Sequence, residues 1–396
     1  MGATADTIEP FSLTRRIIEL DGLRGLAVLL VLFHHLVIHS KIARNSFVDL
    51  YTFKVAASAW IGVDLFFVLS GFLITGILYD SKNTKGYFQN FYIRRALRIF
   101  PLYFGFLALF VAAAPNLLPE DANLWYWTYL SNIYIVVQNG WPDPPHLVHF
   151  WSLAIEEQFY LLWPLAVLAL DRRKMIRLSI ACMTVAIVLR VISPLGMSPL
   201  DGYVLLPTRM DSLAAGAVVA LLVRSDEGRN FVRTWAVPVL YATGILIFGR
   251  FLYKRGLNVL DPVVRTYGYT LLAVAAASLI GILVTVDDKR WLRRGLSMPW
   301  LTQLGKYSYG IYVLHHPIIF VLRDAGFDSR IFPQVFNSSL PGVLIFAAVA
   351  GCITLFLAML SYHYWELPFL KMKELFPYSR KVAPSHGRSL KGNDPN

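Results

Sequence analysis

Arg24 and His35 stand eleven residues apart at the head of the first apolar run of the chain. On a helix that separation is a rise of about 16 Å, and it leaves the two side chains within about 20° of one face. A guanidinium at a water boundary with an imidazole deeper on the same stripe is what a donor reaching in from the cytoplasm would require. His34, one residue earlier, points elsewhere. A second basic group, Arg94, Arg95 and Arg98, precedes Pro101 and Tyr103 where the chain re-enters an apolar run. Arg95 and Arg98 share a helical face, and arginine binds phosphate through bidentate hydrogen bonds. Ordinary charge at a membrane boundary, touching lipid headgroups, is the competing reading of the same residues.

Further ionisable groups lie inside apolar runs: Asp64, Glu156 and Glu157, Arg209 and Asp211, His315 and His316. Each costs several kcal/mol in lipid, so mutual pairing around a hydrated cavity is the expected arrangement. Asp64 or Glu156 paired with Arg209 for structure alone is the alternative. Ser70 is a candidate nucleophile, but no Gly-x-Ser-x-Gly elbow surrounds it. Cys182 and Cys352 fall in apolar runs, where a thiol behaves as a small hydrophobe. No disulfide framework or metal-ligand spacing is visible.

The elements that must position these groups are helices spanning a bilayer. The 396 residues are 56% hydrophobic and 16% charged, with a mean hydropathy of +0.52. Soluble domains run at roughly 45–50% apolar and about 25% charged. The apolar residues come in blocks long enough for roughly 30 Å of hydrocarbon. They predict about ten transmembrane helices, near 22–40, 59–79, 100–116, 151–170, 175–194, 203–223, 233–249, 266–286, 306–322 and 341–363. The expected fold is an all-α polytopic membrane protein with both termini on one side. Of 37 Lys and Arg, 26 fall in the segments sharing the termini's side and 10 in the others, which puts both termini in the cytoplasm. Segment 250–265, with Arg250, Lys254, Arg255 and Arg265, runs against that bias. The net charge of +12 lies between apolar runs and not along one soluble face, which argues against nucleic acid as a partner. Residues 1–20 show no cleavable signal pattern. A single membrane domain is expected over 1–370, followed by a polar, basic and disordered tail over 371–396. Loop 115–150 has no Lys or Arg and is rich in Trp, Tyr and Pro. It reads as an interfacial aromatic belt or as a lid whose rings stack on an acceptor.

Four ordered blocks carry a family resemblance. They are Leu20-Asp21-Gly22-Leu23-Arg24-Gly25 with His35 after ten intervening residues, and Gly62-Val63-Asp64-Leu65-Phe66-Phe67-Val68-Leu69-Ser70-Gly71-Phe72. The others are Phe91-Tyr92-Ile93-Arg94-Arg95-Ala96-Leu97-Arg98-Ile99-Phe100-Pro101 and Phe150-Trp151-Ser152-Leu153-Ala154-Ile155-Glu156-Glu157-Gln158-Phe159-Tyr160. Weaker echoes occur at Thr208–Leu213, Gly305–His315 and Glu366-Leu367-Pro368. On these blocks the sequence resembles acyltransferase family 3, bacterial membrane acyltransferases that decorate O-antigens, other surface glycans, Nod factors and macrolides. Many members append an extracytoplasmic hydrolase-like domain for which this chain has no room, so a stand-alone enzyme is expected.

The resemblance implies a multi-pass protein of the bacterial cytoplasmic membrane with no tightly bound cofactor. Its donor would be an acyl-CoA, most often acetyl-CoA, and its acceptor a hydroxyl of a carbohydrate, surface glycan or macrolide. Arg24, Arg94, Arg95 and Arg98 would hold the donor's phosphates at the inner surface. His35 would act as general base or acyl carrier, with Asp64 or Glu156 orienting it. Imidazole suits either role because its ordinary pKa is near working pH. A proton-coupled transporter of glycan-linked or hydrophobic compounds would use the same intramembrane groups, and an envelope scaffold is a third class. The scaffold leaves the arginine–histidine register unexplained.

Overall fold

A computed structural model describes residues 17–192, 198–286 and 290–378. Among them lie ten helices of 17 residues or more: α1 (Ile18–His39), α2 (Ile61–Ser81), α3 (Tyr87–Ala113), α4 (Phe150–Ala169) and α5 (Arg172–Ile192), then α6 (Leu206–Leu222), α7 (Asp226–Lys254), α8 (Tyr269–Thr285), α9 (Pro299–Asp324) and α10 (Leu340–Leu360). Each falls on one of the expected spans. The β content of the described residues is a single bridge between Val335 and Ser338.

Eight segments are long and apolar enough to cross a membrane by length and composition. The two long helices outside that set, α4 and α9, have 20 and 26 residues, so polarity and not length sets them apart. Those two carry Glu156, Glu157 and Gln158, and His315 and His316. They can be polar because their neighbours shield those faces: Trp151, Ser152 and Ile155 of α4, and Tyr312, His315 and His316 of α9, are buried.

Burial separates the centre of the bundle from its rim. The apolar stretch running into α2 is 72% buried within the protein, whereas that of α7 is 17% buried and presents Tyr241, Ile245, Leu246 and Phe248 outward. A fully apolar outer face is what lipid requires of a peripheral helix. Inside the bundle no water-driven collapse holds helices together, so close backbone approach through small residues does. A Cβ on Gly305 of α9 would stand 1.8 Å from the Asp21 carbonyl oxygen, and one on Gly25 of α1 would stand 2.0 Å from that of Leu301. These two helices run parallel and meet in register: Gly25 lies against Gly305, and His35 lies against His315 ten residues further along both.

The loop after α3 folds inward. Short helices at Asn123–Trp127 and Ser131–Val137 place Tyr126 and Tyr134 in the interior, and Tyr129 stacks on Tyr103 of α3 at 4.1 Å between ring centroids. Gln158 of α4 donates to the Tyr129 carbonyl and to Asn132. Part of this aromatic segment is therefore core, while Trp127, Val137 and Trp141 remain exposed. In segment 250–265 two of the cations that run against the charge bias are internally engaged. Arg250 pairs with Asp261, and Arg265 is buried.

The chain beyond α10 continues through a π-helical turn (Ser361–Glu366) into a short helix (Leu367–Met372). The boundary expected at residue 370 thus falls inside a helix. Arg94 fastens the stretch after that helix, donating to the carbonyls of Lys373 (2.5 Å) and Phe376 (3.0 Å). Residues 379–396 of the expected tail, and residues 1–16, lie outside the described residues.

Gly305→Ala should lower the melting temperature of the detergent-purified protein by several degrees, since backbone and not a movable side chain blocks the new methyl. Overpacking of this kind costs about 1–3 kcal/mol. Gly244→Ala, with nothing within 4 Å of the added carbon, is the control and should melt like wild type.

Candidate functional site

A cavity of about 110 Å³ opens between α1, α2, α3, α4 and α9 near the end of the bundle where α1 begins. Arg24, Arg95 and Arg98 line it from α1 and α3, facing Glu156 and Glu157 of α4. Ser70 of α2 and Tyr160 of α4 hydrogen-bond to each other at 2.5 Å on the cavity wall, and Glu156 lies beside them. The walls between are apolar: Phe66, Phe67, Leu69 and Ile74 of α2, and Leu153 of α4.

The three guanidiniums differ in what answers their charge. Arg24 contacts Asp21 at 3.3 Å. Arg95 and Arg98 have no ion-pair partner among the described residues, and the Arg95 Nε is buried without a hydrogen bond. Arg95 lies 5.2 Å from the centroid of the Tyr160 ring. Three guanidiniums outnumber the two carboxylates on this cavity, and Arg95 and Arg98 form no salt bridge with them, so an anion with several acceptor oxygens can be held there.

Arg94 is not part of this group. One helical residue is a turn of about 100°, which carries Arg94 to the C-terminal segment beyond α10, with its guanidinium 4.5 Å over Tyr378. The expectation that Arg94 joins a phosphate clamp is corrected to a structural role.

Asp64 also departs from expectation. Its carboxylate receives Arg209 at 2.6 Å and Ser212 at 3.0 Å, both from α6, and it makes no contact with His35. The Arg209 guanidinium lies 4.1 Å over the Tyr269 ring. Next to it Asp211 accepts from Arg190 at 2.8 Å and from Thr270 at 2.6 Å. Two fully buried ion pairs thus tie α2, α5, α6 and α8, away from the cavity. Asp64 serves the structural pairing with Arg209 that the sequence allowed as the alternative.

His35 sits beyond the cavity's inner end. Tyr312 lines the cavity and bonds Ser152 with a very short hydroxyl–hydroxyl contact. The ring of His315, one turn further along α9, is 5.5 Å from that of Tyr312, and its Nε2 lies 3.1 Å from His35 Nδ1. Tyr312 lines the arginine-lined space, and His315 links it to His35, which does not line that space. The path for a donor along the Arg24–His35 stripe, suggested by the sequence, is thus closed at Tyr312 in this structure.

The hydrogen bonds fix the tautomers. His315 Nδ1 faces only carbonyl acceptors, Tyr312 O at 2.7 Å and Ile311 O at 3.1 Å, so it carries the proton and Nε2 accepts. His35 Nδ1 must then be the donor, shared between His315 Nε2 and the Val31 carbonyl at 3.1 Å. Neutral His35 is left with an unprotonated Nε2, the form a general base requires. Its orienting groups are an imidazole and a backbone carbonyl. His315 was noted in the sequence only as polar at depth. Its equal spacing from a small residue, ten beyond Gly305 as His35 is ten beyond Gly25, is the signal that pairs them. His34 turns to the Ala56 carbonyl at 2.8 Å, off the stripe as expected. In the loop before α4, His146 contacts Asp324 at 3.2 Å, although burial holds its pKa below the ordinary histidine value.

Fold and site together define an all-helical, multi-pass membrane protein with a cationic cavity abutting a histidine cluster. A family model described as an acyltransferase domain matches residues 17–363, and the chain belongs to acyltransferase family 3. It is similar to a peptidoglycan O-acetyltransferase of Listeria monocytogenes, at 31% identity over 324 residues that cover 76% of this chain and 49% of the relative. A Bacillus subtilis protein, provisionally named for the same activity, is 29% identical over 93% of this chain and 57% of its own length. A Staphylococcus aureus protein, provisionally named an O-acetyltransferase, is 28% identical over 90% of this chain and 58% of its own. The chain thus spans about half the length of the curated relatives it matches. No solved structure matches it.

Asp64→Ala should destabilise the protein by about 3–5 kcal/mol, because it leaves Arg209 buried and unpaired. Thermal aggregation in detergent reads this as a large drop. Glu156→Gln, on the cavity wall, should aggregate near the wild-type temperature. Wild-type stability of Asp64→Ala would refute the structural role.

Proposed function

We propose that this chain is a membrane O-acyltransferase that moves an acyl group, most simply acetyl, from an acyl-CoA to a hydroxyl of a glycan. The carrying observation is the convergence of Arg24, Arg95 and Arg98 on one apolar cavity whose far wall, Tyr312, touches the His315–His35 pair. The end of the bundle bearing these arginines is the cytoplasmic end in this reading, in line with the charge bias of the loops.

The donor's phosphates rest on Arg95 and Arg98, which have no salt bridge to break, together with Arg24. The pantetheine arm enters the cavity along Phe66, Phe67 and Leu153, and the thioester reaches Tyr312. The acceptor comes from the opposite end, where the cluster around His35 is partly exposed. His35 Nε2 takes the hydroxyl proton as the oxygen attacks the thioester carbonyl. The carbon–sulfur bond breaks, and the thiolate leaves with the proton returned from the imidazolium. Tyr312 and Ser152 must part for carbonyl and hydroxyl to meet. Glu156 serves the cavity wall in this scheme and not the orientation of His35. A glycan acceptor is favoured by the activities for which the relatives are named.

Radiolabelled acetyl-CoA incubated with detergent-purified protein and glycan fragments should give labelled ester without a closed membrane, which a transporter would not. His35→Ala should reduce turnover by about 10²–10⁴-fold at unchanged melting temperature. Arg95→Ala and Arg98→Ala should each raise the KM for acetyl-CoA by about 10-fold or more, the loss of a charge-assisted hydrogen bond. Arg94→Ala should leave that KM unaltered. Substantial turnover by His35→Ala would end the assignment of the base.

A further inference from the structure

Seven of the nine histidines gather toward the end of the bundle opposite the arginines, far more than one general base needs. Three of them converge on a point. One ring nitrogen from each of His35, His39 and His316 lies within 4.8 Å of the others. His35 and His39 are one turn apart on α1 with rings parallel to within 3°. The His316 ring stands nearly perpendicular to both, at 90° and 87°, with centroids 4.8 and 5.3 Å away.

Their hydrogen bonds prepare them as ligands. His316 Nδ1 faces the His146 carbonyl at 3.1 Å, and His35 Nδ1 faces that of Val31 at the same distance. A ring whose Nδ1 proton is held by a backbone carbonyl presents its Nε2 lone pair in a fixed direction, the outer-shell arrangement typical of metal-binding histidines. His39 is the last residue of α1, where unsatisfied carbonyls favour a cation.

We propose that His35, His39 and His316 form a three-imidazole site for a divalent transition metal of the zinc class. Imidazoles without a carboxylate or thiolate suit zinc, cobalt, nickel or copper and disfavour magnesium and calcium. Bonds of about 2.1 Å in tetrahedral geometry need nitrogens about 3.4 Å apart, and rotation of His39, which is partly exposed, closes the remaining gap. Water fills the fourth position. Because the metal takes the His35 nitrogen, occupancy withholds the base and inhibits transfer. That consequence rests on the function proposed above, whereas binding does not.

The test uses the full chain, purified in detergent through a tag without histidines, stripped with chelator and titrated with zinc alone. Metal analysis should find about one zinc per chain, and X-ray absorption should show imidazole nitrogens in its first shell. His39→Gln and His316→Ala should each weaken binding at least 10-fold. His39→Gln alters a partly exposed side chain and so stands if His316→Ala misfolds. Absence of stoichiometric zinc in wild type, or undiminished affinity in His39→Gln, overturns the site. Zinc should inhibit acetyl transfer by wild type while His39→Gln stays active at the same concentration. Full wild-type activity at saturating zinc overturns the inhibition. Zinc bound normally by a protein without transfer on any acceptor upholds the site and sinks the transferase reading alone.

Discussion

A guanidinium inside a bilayer has no water to share its charge with, so a neighbouring helix has to answer it. Arg209 meets Asp64 and the face of Tyr269, and Arg190 meets Asp211. These contacts join α2, α5, α6 and α8 into a frame against which α1, α3, α4 and α9 are set. Breaking one partner of such a pair costs more than the pair itself contributes, so the frame is fixed by the penalty for every alternative arrangement. Against that background the treatment of Arg95 and Arg98 differs. The same protein leaves them without a salt bridge on the wall of a cavity that Glu156 and Glu157 also line, so their charge is available to something that enters.

The frame also accounts for what faces what on α2. Asp64 and Ser70 are six residues apart, about 600° of rotation, so they lie on different sides of the helix. Asp64 therefore turns to α6 while Ser70 turns to Tyr160 of α4. A carboxylate near the histidines would hold a charge there. Its diversion to Arg209 leaves His35 oriented by a carbonyl and a second imidazole, and leaves its Nε2 free of any salt bridge.

Much of this was legible in the chain because hydrocarbon thickness sets run length, and run length placed the ten long helices found among the described residues. The grouping of Arg24, Arg95 and Arg98 was legible for a related reason, since depth follows from counting residues into a span, whereas Glu156, expected beside His35, lines their cavity instead. Azimuth does not. Arg94 and Arg95 are adjacent in sequence and about 100° apart on the helix, and only the packing of the segment after α10 shows which one meets the cavity. Asp64 failed for the same cause, because its type and depth suited His35 while its direction suited Arg209. The histidine cluster was illegible as a cluster, since its members come from α1, α9 and the loop before α4. Only their separate depths are written in the sequence.

The register of α1 and α9 binds these facts together. Gly25 and Gly305 touch at one end, and His35 and His315 hydrogen-bond ten residues further along both helices. Ten residues are about 15 Å of rise in each, so parallel helices locked at the glycines arrive at the histidines in step. Sliding α9 by one residue would shift His315 by about 1.5 Å, enough to break a 3.1 Å contact. Glycine at the arginine-bearing end is thus part of what holds the His35 ring in its donating orientation. A carboxylate could hold the ring through charge and tolerate some displacement, but a neutral imidazole partner depends on geometry alone. The close backbone packing of these two helices supplies that geometry, and it explains why so tight a helix contact lies beside the most polar part of the interior.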